Sequence, residues 1–222
     1  MPPIDAIRAW QLAHAILVLA TVPFSFAEAK NVLLAPSVFG ALSISALLLS
    51  HVRSRELYTY ANCVTAARLF GALYVASNSP ALPSMRLGLF AIVFVGADFV
   101  DGYLAKRFRQ CYPLGATFDE QTDALATLMC GATLWQRGLA GPVAIHMAYA
   151  TYIYRVLLHF INPSHVWNLP HARTLAGVMG VLSIGSLLAA DHSMPFGRLL
   201  GDAAAVVNLG SFLLSYWKLI RS

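Results

Sequence analysis

Asp98 and Asp101 stand three residues apart, and Asp119 and Asp123 four apart. On helices, either spacing puts both carboxylates on one face. The chain has ten acids, and five of them (these four and Glu120) fall between 98 and 123. They sit at the end of one apolar run and inside the start of the next. A carboxylate at bilayer depth costs at least ~2.5–3.5 kcal/mol on insertion scales, so such a cluster needs a cationic partner. Four hard oxygen donors, with no His or Cys among them, suit Mg²⁺ or Mn²⁺, with room for two ions. Glu120 points away from the Asp119/Asp123 face and is expected to be solvated. Gly102, directly after Asp101, and Gly115, four residues before Asp119, would let a ligand approach the backbone closely.

These residues lie in an unusually apolar chain. Of 222 residues, 58% are hydrophobic and 11% charged, against about 45–50% and 25% in soluble domains. This composition excludes a soluble globular domain, a disordered chain and a nucleic-acid-binding module; nucleic acid is not an expected partner. The basic balance, 15 Lys+Arg against 10 Asp+Glu, comes from few charges placed between apolar runs, as in membrane loops. Cys63, Cys111 and Cys130 show neither a disulfide framework nor zinc spacing.

A membrane helix needs ~20 mostly apolar residues. Eight segments qualify: 9–28, 31–52, 57–78, 86–104, 113–136, 140–161, 172–190 and 196–219. The expected fold class is therefore an all-α integral membrane bundle of about eight transmembrane helices. The first segment is long for a cleavable signal and runs almost directly into the second, so the two are expected to stay as a membrane hairpin. With both termini on the inner side, nine Lys/Arg fall inside and four outside. The positive-inside rule then puts the Lys106–Arg109 loop in the cytoplasm. The acid-bearing helices flank this short loop, so they must be antiparallel neighbours whose cytoplasmic ends carry the cluster.

The stretch Asp98-Phe99-Val100-Asp101-Gly102-Tyr103-Leu104-Ala105-Lys106, then eight residues, then Gly115-Ala116-Thr117-Phe118-Asp119-Glu120-Gln121-Thr122-Asp123 resembles the signature of the CDP-alcohol phosphotransferases. That pattern is D-x2-D-G-x2-A-R-x8-G-x3-D-x3-D. All spacings agree, as do seven of eight fixed positions; Lys106 stands where the family has Arg. Upstream, Asn62-Cys63-Val64-Thr65-Ala66-Ala67-Arg68 is similar to the family's N-x2-T-x2-R element.

The resemblance implies a six-helix catalytic core over 57–222, preceded by an N-terminal transmembrane hairpin over 1–56. It implies transfer of a phosphatidyl or phospho-alcohol group from a CDP-activated donor, foremost CDP-diacylglycerol, to an acceptor alcohol, with release of CMP. Asp98, Asp101, Asp119 and Asp123 would bind two divalent metals, Mg²⁺ or Mn²⁺, and Asp123 would also be the base. Asn62, Thr65, Gly102, Lys106 and Gly115 would line the donor site. Partners would be the CDP-alcohol, the acceptor, membrane lipid and, as is usual in the family, a second copy in a homodimer. The active site would face the cytoplasm from the inner membrane.

Other intramembrane polar residues are candidates for the acceptor site. Arg155 is deep enough to need an anion, either an acceptor phosphate or a carboxylate. Arg173, at a helix start, could face an anionic acceptor or anchor the interface. Arg68 could brace the first core helix, and His14 and His146 read as packing residues. Two other classes compete with the transferase: a transporter moving cations or protons through the acid cluster, and an inactive scaffold of the same fold.

Overall fold

The computed structural model describes residues 4–22, 34–161 and 172–221. Within them lie eight helices and no strand. They are α1 (Ile4–Leu19), α2 (Leu34–Ser50), α3 (Tyr60–Asn78), α4 (Ser84–Arg107), α5 (Pro113–Gln136), α6 (Val143–Ile161), α7 (Ala172–Ala190) and α8 (Met194–Arg221). The expected all-α class is observed. Residues 23–28 and 31–33 of the first two expected spans lie outside the described residues. Helix α5 has the bounds read from the sequence, because Pro113 occupies its first turn, where a missing N–H costs nothing. Helix α4 runs three residues beyond its apolar stretch, to Arg107. Lys106 and Arg107 in its last turn suit the free carbonyls and the negative end of the dipole there.

Helix α5 is central and packs against α2, α3 and α6. Phe118, Leu125, Leu128 and Met129 of α5 share a core with Leu69 and Ala72 of α3 and Ala148, Tyr149 and Tyr152 of α6. Ala15 and Val18 of α1 and Ile44 of α2 complete it, so α1 and α2 pack within this core. Gly131 is why α5 and α6 run so close. A Cβ there would lie 2.8 Å from Ala144 O and 2.9 Å from Ala148 N, and small residues are what permit such backbone approach between membrane helices.

A second core joins Leu87 of α4, Leu134 of α5, Ala144 of α6, Leu187 of α7 and Ala205 of α8. At this end the loops are tied by polar side chains. Arg137 donates to Ser84 Oγ at 2.9 Å, to Ser79 O at 2.5 Å and to Leu82 O. Asp191 accepts the Met85 N–H at 2.9 Å, and Asp202 accepts the Gly141 N–H at 2.7 Å. The opposite end, where α4 stops and α5 starts, carries the signature aspartates.

Among the described residues, two helices are long and apolar enough to cross a membrane, Ser84–Arg107 and Met194–Trp217. At 1.5 Å per residue, 24 residues rise about 36 Å, beyond the ~30 Å hydrocarbon core. Only 17% and 22% of their apolar windows are buried, unlike the core helix of a soluble protein. Phe70, Val93, Phe99 and Val181 are each about 70% exposed. So much outward apolar surface needs a non-aqueous neighbour. The molecule is thus an all-helical bundle with a membrane-type exterior.

Candidate active site

The site is assembled where the first turns of α3 meet the end of α4 and the start of α5. Thr59 caps α3, its side chain accepting the Asn62 N–H at 3.0 Å. Asn62 turns back and donates through Nδ2 to Glu56 O and Leu57 O at 2.9 and 3.0 Å. Its Oδ1 faces Gly115, where an added Cβ would lie 2.8 Å away. A side chain at Gly115 would therefore displace the Asn62 amide. Space around the Gly102 Cα position is open, which leaves that backbone approachable.

The turn between α4 and α5 is pinned to α3 as well. The Tyr60 N–H donates to Gln110 Oε1 at 3.3 Å, and the Tyr60 and Phe108 rings lie 4.9 Å apart. Arg109 takes a left-handed backbone, φ 55°, to turn the chain. A cleft of about 460 Å³ results, within the usual size range of small-molecule sites. Asn62, Thr65, Gly102, Lys106 and Gly115, the five expected donor residues, all line it, with Asp101 and Asp119. Gln110, Cys111 and Tyr112 also line it and were not singled out from the sequence. They fall in the unpatterned eight-residue spacer, so spacing gave no signal for them.

The four aspartates converge beside this cleft. One oxygen each from Asp98, Asp119 and Asp123 forms a group whose members all lie within 4.8 Å of one another. These three side chains are 38–47% exposed. Asp101 is buried, and its Oδ2 accepts from Thr65 Oγ1 at 3.1 Å and from Arg68 Nη1 at 2.7 Å. The donor set and spacing fit a hard divalent cation, which takes carboxylate oxygens.

Arg68 lies at the centre of the cluster. Nη1 is 2.7 Å from both Asp101 and Asp119; Nη2 is 3.1 Å from Asp98 and also pairs with Asp123. The guanidinium stacks over the Phe94 ring at 4.5 Å. The bracing role expected for Arg68 understates this position. Its signal was present in the sequence: Asn62, Thr65 and Arg68 step by three along one helix and so share a face.

A family model for the CDP-alcohol phosphatidyltransferases matches residues 58–217. The chain belongs to this family. No curated protein and no solved structure matches it. As a CDP-alcohol phosphatidyltransferase it is a transferase that moves a phosphate-linked alcohol group from a CDP-alcohol to an alcohol acceptor. The match covers α3 to α8 almost completely, including the whole site.

The candidate acceptor residues are placed differently. Arg155 of the phosphatidyltransferase pairs with Glu120 Oε1 at 2.7 Å, the carboxylate alternative weighed for it, and does not line the cleft. Glu120, expected to be solvated, is 58% exposed but makes this pair and accepts from Gln11 at 3.5 Å. Arg173 lies in the first turn of α7, and its side chain falls outside the described residues. His14 is buried against Trp10 and Tyr152, at 5.0 and 5.8 Å between ring centres. His146 packs near Phe212 at 6.2 Å. Both histidines stand apart from the aspartates, as packing residues.

Proposed function

We propose that the protein transfers the phosphatidyl group of CDP-diacylglycerol to the hydroxyl of an acceptor alcohol and releases CMP. The observation that carries this reading is the meeting of both signature halves at one cleft: four aspartates beside Asn62, Thr65, Gly102, Lys106 and Gly115. A lipid donor is supported by the flank of α4. Phe99 and Tyr103, next to Asp98 and Gly102, are 73% and 64% exposed. Acyl chains can then stay in the membrane while the pyrophosphate reaches the cleft. Both the cytoplasmic orientation and the eight-span count belong to this proposal and rest on the Lys/Arg distribution and segment lengths.

Each residue has a task. Lys106 would meet a donor phosphate as a point charge, where the family's Arg would grip with a fork. The exposed backbone at Gly102 lets the diphosphate come close. Asp98, Asp119 and Asp123 would hold a divalent ion; a second ion would draw on Asp101. When bound, such ions neutralise the diphosphate and the leaving CMP. The acceptor oxygen attacks the phosphorus bearing the diacylglycerol. The anhydride P–O bond breaks, CMP leaves with the electron pair, and the acceptor proton passes to Asp123 as general base. Two rigid helices hold these carboxylates, so the attack geometry is set before substrate arrives.

The reading is tested by incubating the protein in bilayers with CDP-diacylglycerol or CDP-choline, Mn²⁺ and a panel of polar alcohols, and identifying products by mass. A new phospholipid formed only from CDP-diacylglycerol is expected. Turnover only with CDP-choline would overturn the donor assignment and keep the reaction class. A transporter would move solute without releasing CMP, and a scaffold would do neither.

A further inference from the structure

Arg68 carries a task that the transfer reaction does not account for. Its side chain is 2% exposed, on α3, facing the aspartates of α4 and α5. Four carboxylates converge on it, and each of its two terminal nitrogens serves two of them. Nη1 takes Asp101 and Asp119; Nη2 takes Asp98 and Asp123. A guanidinium has four terminal N–H groups in a planar fork; three aspartates, Asp101, Asp119 and Asp123, accept hydrogen bonds from it, and Asp98 adds an ion pair at 3.1 Å. Its Nε is buried with no hydrogen-bond partner, so the cluster engages the fork alone. Phe94 covers one face of the ion at 4.5 Å.

Two physical consequences follow. Four carboxylates this close repel one another, and a half-buried location strengthens the repulsion. One central cation, hydrogen-bonded to Asp101, Asp119 and Asp123 and ion-paired with Asp98, offsets it without any metal. The same bonds also take up oxygens that a divalent ion would need. Arg68 touches all three members of the group within 4.8 Å, Asp98, Asp119 and Asp123, as well as Asp101.

We propose that Arg68 is a built-in counter-cation of the aspartate cluster, holding the four carboxylates in register before metal arrives and competing with the divalent ion for them. The inference rests on the metal reading given above. It makes Arg68 a positioning residue whose removal tightens metal binding, the opposite of what loss of an ordinary structural brace would do. Lysine cannot replace it fully, since three donors on one nitrogen do not span four acceptors.

The test uses full-length protein in lipid nanodiscs and Mn²⁺ as the probe. Free Mn²⁺ is followed by its paramagnetic resonance signal for wild type, Arg68→Gln and Arg68→Lys. Arg68→Gln is expected to bind Mn²⁺ at least about tenfold more tightly, since a nearby positive charge has gone. Its melting temperature in chelator should fall below that of wild type and recover on adding Mn²⁺, because a ligand that binds only the folded state stabilises it. Arg68→Lys should fall between the two in affinity. Equal or weaker Mn²⁺ binding by folded Arg68→Gln would overturn the proposal. If that variant does not fold, an Arg68→Lys protein with no gain in affinity would overturn it instead. No Mn²⁺ binding by wild type or by either variant would overturn the metal reading, and the proposal with it.

Discussion

Asp123 pairs with Arg68 and still keeps its side chain 47% exposed, on the side where Asp98 and Asp119 lie. A base needs both a fixed position and access to its substrate, and this residue has both. Asp123→Asn is expected to lower turnover by at least about 10²-fold, the lower bound for lost general-base catalysis, while the protein stays folded. Near-normal CMP release by the variant would remove Asp123 from that role. Lys106 lines the cleft as one charge without a fork. Lys106→Arg is expected to hold or lower the KM for the donor, and a complete loss of activity would show that the ammonium geometry itself is required. At this scale the sequence was most legible where spacing constrains chemistry. Helix-face spacing picked out the two aspartate pairs, and the resemblance to the family signature supplied the five residues that line the cleft. It was least legible for pairings across helices. That Arg155 would meet Glu120 rather than an acceptor depends on how α5 and α6 rotate against each other, which no local pattern encodes.

At the scale of elements, two ends of the bundle are built differently. The end held by Arg137, Asp191 and Asp202 is tied loop to helix by hydrogen bonds. The other end is held by side chains converging on the cleft, with Asn62 against Gly115 and Gln110 against the Tyr60 N–H. Glycines set these approaches, and their contexts separate them. Gly131→Ala is expected to cost about 1–3 kcal/mol, because its Cβ meets the α6 backbone and overpacks the contact. Gly71→Ala, on α3 with nothing within 4 Å, is expected to be neutral or to stabilise by up to about 1 kcal/mol. Thermal unfolding of the two variants checks the pair; equal melting temperatures would contradict the account of the α5–α6 contact. Hydropathy found the helices, and Pro113 marked the start of α5. It placed the start of α1 late, at residue 9 rather than Ile4, because a helix entering through polar residues carries no apolar signal there.

Across the whole molecule, α1 and α2 share one core with α3, α5 and α6. Ala15, Val18 and Ile44 pack with Leu125, Leu128 and Tyr152. Deleting residues 1–52 is expected to lower the melting temperature, since it uncovers these α5 and α6 side chains. The folded fraction should still bind Mn²⁺, because all four aspartates and Arg68 lie after the proposed boundary near residue 57. A truncated protein that melts like the full chain would show the hairpin to be dispensable for packing. One that folds but binds no Mn²⁺ would place part of the metal site in the hairpin. Two long apolar helices with exposed apolar surface suit a membrane protein, and the family match makes it a transferase. Both support the proposal that the aspartate cluster carries out phosphatidyl transfer from a membrane-held CDP-lipid. The most direct measurement is CMP release from CDP-diacylglycerol by purified protein in bilayers, with acceptors pooled, in Mn²⁺ and in chelator, alongside Asp123→Asn. The account expects release by wild type in Mn²⁺ only, and none above background by the variant. Release that persists in chelator, or that is equal in wild type and variant, would contradict it.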